Sequence, residues 1–194
     1  MKNENLVFTK ATKDDLKDIG AIELEFFKDY EKSFTSEFLE KWFGYNPDMF
    51  YVVKKAGLDT VGFIILTPVS EQLHNRIVAG EVFDFFDFPE ADVLNSMQSD
   101  YFYVADICLS GEKKYSYLNA VIVLIGNMFR ILADSARFIT TCPVTEEGLK
   151  ICHTLGMRKT AEAIDSESRY PIYLLEVTED KINRFSKLMK RASR

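Results

Sequence analysis

Three places in this sequence carry side chains suited to chemistry. In the run Tyr101 to Leu109 the two-residue alternation of an extended strand puts Phe102, Val104, Asp106, Cys108 and Ser110 on one face. Asp106 is therefore a carboxylate among apolar neighbours, the setting that raises a carboxyl pKa toward that of a useful general base. A second reading makes it a scaffold residue that accepts backbone amides. The next place is Glu81 to Asp100, where Glu81, Asp84, Asp87, Glu90, Asp92 and Asp100 are interleaved with Phe83, Phe85, Phe86 and Phe88, and no Lys or Arg occurs between Arg76 and Lys113. Read for function, this is a negative, aromatic-rimmed mouth for a cationic amine, with Glu81, Asp84, Phe85 and Asp87 as its binding residues. Read for structure, it is a solvated acidic loop whose phenylalanines dock on the core. The last place is the set of thiols. Cys108, Cys142 and Cys152 are odd in number and not closely paired, so they read as reduced cysteines and not as a disulfide framework or a zinc site. Neither His74 nor His153 has the spacing of a metal site or a triad, and no metal is expected.

The elements that must position these residues follow from periodicity and punctuation. Tyr101 to Leu109 reads as a strand, Ser110 to Ser116 as a loop, and Tyr117 to about Leu132 as a long apolar helix. A strand, Arg137 to Cys142, and a helix, Glu146 to Thr154, follow. In this order the amides that open the first helix face whatever sits beyond the strand end, where an anion would bind. Upstream, Leu6 to Lys10 is extended, and Thr12 with Asp15 forms a capping signature. The helix after it carries Leu16, Ile19, Ile22, Leu24, Phe26 and Phe27. A second helix spans Ser36 to Phe43, ended by Gly44 and Asn46-Pro47. Phe50 to Lys55 and Thr60 to Thr67 form an antiparallel pair joined at Ala56-Gly57-Leu58-Asp59. Ser70 to Ala79 is a short helix closed by Gly80. Asp165 to Ser168 is a polar turn and Tyr170 to Val177 a strand. Thr178 caps a C-terminal basic amphipathic helix at about 178–191, whose basic side suits the helix dipole.

Composition limits the classes. With 194 residues, 47% of them hydrophobic and 13% aromatic, the chain can bury roughly 70% of its unfolded surface, and a single domain over 1–194 is expected. A net charge of -6 argues against general nucleic-acid binding. Met1 to Leu6 lacks the apolar core of a signal peptide. The longest strongly apolar run, Ala120 to Ile125, is far below the roughly 20 residues that span a bilayer. A cytoplasmic protein without a membrane partner is expected.

The element order, together with two motifs, resembles the GCN5-related N-acetyltransferase (GNAT) family. The more specific motif is Thr145-Glu-Glu-Gly148-Leu-Lys-Ile-Cys152-His-Thr-Leu155-Gly156-Met157, similar to the family's late helix and its Leu-Gly turn. The other is Gly62-Phe-Ile-Ile-Leu-Thr-Pro68 with a short helix and Gly80 after it. The late motif is also an ordinary capped helix: Thr145 caps it, Glu146 and Glu147 suit its dipole, and Gly156 supplies the left-handed residue that ends it. The resemblance covers roughly Leu6 to Val177. It implies an α/β (α+β) fold with a central mixed, mostly antiparallel sheet flanked by helices. It also implies acetyl-CoA as the cofactor, held by the strand end at Ile107 and Leu109 and by the loop Lys114, Ser116, Tyr117, Leu118 and Asn119. The family has Arg or Gln, Gly, and Gly or Ala at three positions of that loop, where this chain has Lys114, Tyr117 and Asn119. The larger side chains stand where backbone must approach a pyrophosphate. The family's general-acid tyrosine, four residues before the Gly of the late helix, corresponds to Cys152. A thiol there can return a proton to a leaving thiolate, and equally can be a small buried core residue. The implied activity is transfer of an acetyl group from acetyl-CoA to a small amine, with Asp106 as base. The alternative is a catalytically weakened protein of the same fold that serves as a ligand- or partner-binding regulatory domain.

Overall fold

The computed structural model describes residues 6–27, 34–55, 60–110, 114–165 and 168–192. In chain order these form β1 (Leu6–Lys10), α1 (Leu16–Phe27), α2 (Ser36–Tyr45), β2 (Phe50–Lys55), β3 (Thr60–Pro68), α3 (Glu71–Val78), β4 (Tyr101–Leu109), α4 (Lys114–Leu132), β5 (Phe138–Thr141), α5 (Glu146–Thr154), β6 (Arg158–Asp165), β7 (Ser168–Glu176) and α6 (Glu179–Ala192). Among the described residues seven strands make one sheet in the order β1-β2-β3-β4-β5-β7-β6. The pairs β1/β2, β2/β3, β5/β7 and β6/β7 are antiparallel, and β4/β5 is parallel. The fold is the mixed, mostly antiparallel sheet flanked by helices that the sequence implies. The turn expected at 56–59 lies outside the described residues.

The chain divides into two compact units, one of Met1–Ile65, Asp106–Ile131 and Ile182–Arg194, the other of Leu66–Ala105 and Leu132–Lys181. In the first unit, α1 presents Leu16, Ile19 and Ile22 to the core at helical spacing. Asp15 closes the capping signature by accepting from the Thr12 N–H and hydroxyl, both at 2.8 Å. Thr35 caps α2 by accepting from Phe38 N–H at 3.2 Å. The ring of Phe129 on α4 stacks on that of Phe185 on α6, with centroids 4.4 Å apart. Gly62 marks a close approach: a Cβ there would lie 2.3 Å from Leu109 Cδ2 and 2.8 Å from the Cys108 carbonyl oxygen. Only glycine lets β3 pass the end of β4 at this distance.

In the second unit, α3 is capped by Ser70, whose hydroxyl accepts from Leu73 N–H at 3.1 Å. The helix ends at Gly80, which has φ +79 and sits against the Glu162 carbonyl of β6. The α5 motif forms as expected. Thr145 accepts from Gly148 N–H at 3.0 Å, and Gly156 ends the helix with φ +68.

The structure departs from the sequence expectation at α4, α2 and β6, among other places. Helix α4 starts at Lys114 and not at Tyr117, because Lys114, Tyr115 and Ser116 carry no helix breaker and the punctuation falls earlier, near Gly111. Helix α2 runs through Gly44 to Tyr45, since an isolated glycine costs only about 1 kcal/mol in a helix that packs well. Strand β6 was not expected at all. Its sequence, Arg-Lys-Thr-Ala-Glu-Ala-Ile-Asp, is rich in helix formers, and pairing with β7 from Arg158↔Leu174 to Asp165↔Ser168 overrides that preference.

Candidate functional site

The chemistry of the first unit gathers at the end of β4. Strand β5 stops at Thr141, opposite Val104, so β4 residues 105–109 run on past it. As the alternation requires, Asp106 and Cys108 share a face, and Cys108 Sγ donates to Asp106 Oδ1 at 3.2 Å. Asp106 is half-buried and Cys108 is buried. Burial, reinforced by the negative charge of Glu23, pushes the Asp106 carboxyl up to about 7, although Cys108 and the Ile107 N–H stabilise its charged form. The Cys108 thiol is itself driven well above the ordinary thiol range by burial and by the negative charges of Asp106 and Glu23. It therefore remains a protonated donor.

Glu23, absent from the sequence-based candidates, acts on this group through its charge. It lies on the buried face of α1, four residues after Ile19 and seven after Leu16, and only 3% of it is exposed. Its carboxylate accepts from the Phe34 backbone N–H, but burial dominates and raises its pKa to about 7. Oε2 has no hydrogen-bond partner among the described residues. The signal in the sequence was a glutamate on an apolar helical stripe, where a polar residue needs a reason. Asp15, near the head of the same helix, shows how a buried carboxylate is normally satisfied. Burial raises its pKa, but Lys54 at 2.6 Å and the Thr12 donors outweigh that and hold it below the usual value.

The expected cofactor residues lie in the same unit. Leu109 is buried and Ile107 half-buried, on the face of β4 opposite Asp106. Lys114, Ser116, Tyr117 and Leu118 form the first turn of α4, with their side chains outside the described set, and Asn119 is exposed. The earlier helix start moves the unpaired opening amides to about Lys114 to Ser116, and the amides of Leu118 and Asn119 are used within the helix. An anion at this helix end would thus meet residues ahead of Tyr117 and Asn119.

The remaining candidates lie in the second unit. Cys152 is buried in α5, and burial pushes its thiol up to about 12. Glu81 is exposed and pairs with Arg76 at 3.6 Å. Asp84 accepts from Phe86 N–H at 3.0 Å and caps a short turn, Phe85–Asp87. Phe85 is buried with its ring edge-on to Phe88, while Asp87 is exposed. Cations from outside the segment also reach it, since Arg137 lies 3.5 Å from Asp100. Ser70 Oγ donates to Asp92 at 2.7 Å. Phe83 stacks on Tyr170 with centroids 5.0 Å apart, and Phe88 meets Tyr103 at the same distance. Among the described residues no group of three or more His, Cys, Asp or Glu could hold a metal, and no helix is long and apolar enough to cross a membrane.

No protein-family model matches the chain, and no curated protein matches it in sequence. Solved structures do match its fold. An N-acetyltransferase from Staphylococcus aureus Mu50 superposes with a TM-score of 0.62 at 12% identity, over 90% of this chain and 99% of that one. The structure of yncA from Salmonella typhimurium with its cofactor acetyl-CoA gives 0.60 at 10% identity, over 90% and 95%. The C-terminal condensation domain of Ebony, in complex with beta-alanyl-dopamine, gives 0.63 at 9% identity, over 90% and 100%. Many of the structures that share this architecture are GNAT acetyltransferases.

Proposed function

We propose that this chain, which has the GNAT fold, transfers an acetyl group from acetyl-CoA to a small amine, with Asp106 as the general base. The observation that carries the reading is the Asp106 carboxyl, half-buried at the end of β4, held by Cys108 at 3.2 Å and basic near neutrality. Such a group takes a proton from an ammonium more readily than an ordinary carboxylate does. The opening amides of α4, around Lys114 to Ser116, suit the diphosphate of the donor: they begin a 19-residue helix, the next element of the chain after the strand bearing Asp106. Lys114 adds a cation by residue type. Acetyl-CoA would supply an activated acyl carbon, and the backbone of Ile107 and Leu109 would help to hold the rest of the donor. Cys152, with its thiol near 12, serves in this reading as a core residue and not as the general acid. A yncA structure with acetyl-CoA, and a condensation domain with an N-acylated amine, support amide formation on this fold.

The sequence offers the acidic segment Glu81 to Asp100 as a site for a cationic acceptor. Asp84 caps a turn there, and Glu81, Asp92 and Asp100 pair with Arg76, Ser70 and Arg137, which favours a structural role for these four. A regulatory domain without catalysis has no comparable observation in its favour, because ligand binding alone does not need a basic carboxyl at the strand end.

The test is thermal. Acetyl-CoA at about 100 times its dissociation constant should add roughly 2.7 kcal/mol, or about 5 to 10 °C in a domain of this size. A Tyr117→Gly, Asn119→Gly variant separates an obstructed site from an open one. A shift in both proteins supports the reading. A shift only in the variant means that the site is lost in the natural chain, and no shift in either overturns the proposal.

A further inference from the structure

We propose that Cys108 is a positioning residue for Asp106, its thiol tying one carboxylate oxygen so that the group is held in a single orientation at the end of β4. This rests on the acetyl-transfer reading for what Asp106 meets, but not for the contact itself. Cys108 and Asp106 are two residues apart on one strand face, where side chains stand side by side, and Sγ lies 3.2 Å from Oδ1. The thiol is buried and Asp106 half-buried, so the donor is shielded from water while the acceptor stays open to it. The backbone that carries the donor is fixed from β3. The Ser110 N–H donates to the Val61 carbonyl at 2.9 Å, and a Cβ on Gly62 would stand only 2.8 Å from the Cys108 carbonyl oxygen. Pinned on that side, the thiol is a fixed point to which the carboxylate is drawn.

The residue type matters. A thiol is a weak hydrogen-bond donor and otherwise behaves as a small apolar group, so its burial costs little. A hydroxyl in its place would stabilise the ionised carboxyl more strongly and make it a poorer base. Cys108 therefore orients Asp106 at a small cost in basicity, and the carboxyl stays at about 7. The other groups that act on Asp106 are the Ile107 N–H and the negative charge of Glu23 on α1. The first is backbone, which no side-chain substitution removes, and the second acts through charge. The thiol is thus the side-chain contact that a substitution can test.

The experiment is infrared spectroscopy of the thiol S–H stretch in the whole chain without acetyl-CoA. The Cys108 band is assigned by its loss in Cys108→Ser and followed from about pH 5 to about pH 9, on either side of the Asp106 pKa. Expected is a shift to lower frequency as Asp106 ionises, because a carboxylate accepts more strongly than a carboxylic acid, and no such shift in Asp106→Asn. A band that stays still, or that moves equally in Asp106→Asn under the charge of Glu23, would overturn the proposal. In acetyl transfer, Cys108→Ala should lower kcat roughly 10-fold with KM for the amine little changed. It should also move the acid limb of the kcat/KM profile to higher pH, since the ionised carboxyl loses a donor. Cys108→Ser should restore kcat in part and move the limb to lower pH. A cysteine that serves packing alone would leave the limb in place in both variants, and that result counts against the proposal. If the band follows Asp106 but no amine is acetylated, the acetyl-transfer reading fails and the thiol–carboxylate contact stands.

Discussion

Two acidic regions of this molecule behave in opposite ways. The segment Glu81 to Asp100 holds many carboxylates, but they are exposed or half-buried and find partners in Arg76, Ser70, Arg137 and backbone amides. Glu23 on α1 and Asp106 at the end of β4 have no ion pair shown among the described residues, and both are displaced to about 7. Density of charge in the sequence therefore marks a surface. A buried carboxylate left without a balancing cation costs stability, and that cost makes it the stronger pointer to function.

The contrast sharpens in stability against pH. A group whose folded pKa is raised binds more protons in the folded state, so its ionisation destabilises the fold as pH rises between the unfolded and folded values. For Glu23, raised from 4.5 to about 7, the cost is absent below pH 4.5 and complete above pH 7, where it reaches about 3 kcal/mol. Glu23→Gln should therefore stabilise the protein by about 1 to 3 kcal/mol at pH 8, the buried amide taking back part of the gain, and by nothing or less at pH 4.5. Urea denaturation at the two pH values measures it. Equal effects at both would mean that Glu23 is satisfied by a partner.

A smaller effect of opposite sign is expected at Asp15, whose pKa is held down in the folded state. Its contribution is present above the unfolded pKa and is lost as pH falls through the folded one. Asp15→Asn breaks the 2.6 Å pair with Lys54 and should cost about 1 to 2 kcal/mol at neutral pH, fading in acid. The same denaturation series reads both variants. A loss independent of pH would make the Asp15 contribution one of packing.

Much of the fold was legible. The capped helix Glu146 to Thr154 and its Gly156 turn use strong local chemistry and fell where expected, as did the β2/β3 pair and β4 beside it. Strand β6 was hidden because Ala161, Glu162 and Ala163 favour helix on their own, and only the long ladder with β7 makes them extended. Asp106 and its face could be read from two-residue alternation alone. Glu23 was visible as a polar residue on the stripe of Leu16, Ile19 and Ile22, but the influence of its charge on Asp106, 83 positions away in sequence, is encoded in no local pattern. The partners of the acidic segment were hidden for a related reason. Arg76 and Arg137, which balance Glu81 and Asp100, lie outside it in the sequence, and folding brings them to it.

The most direct test sets the two regions against each other in one assay. Acetyl transfer from acetyl-CoA to a panel of small primary amines is measured for Asp106→Asn and for a triple variant, Glu81→Gln, Asp84→Asn and Asp87→Asn, at low and moderate salt. Asp106→Asn keeps the shape and loses the base, so kcat should fall by roughly 10²-fold or more while the protein stays folded. The triple variant should remain within a few-fold of the natural chain, because screened surface charges contribute little. A collapse of activity in the triple variant together with unchanged turnover in Asp106→Asn would contradict the account and return the site to the acidic segment.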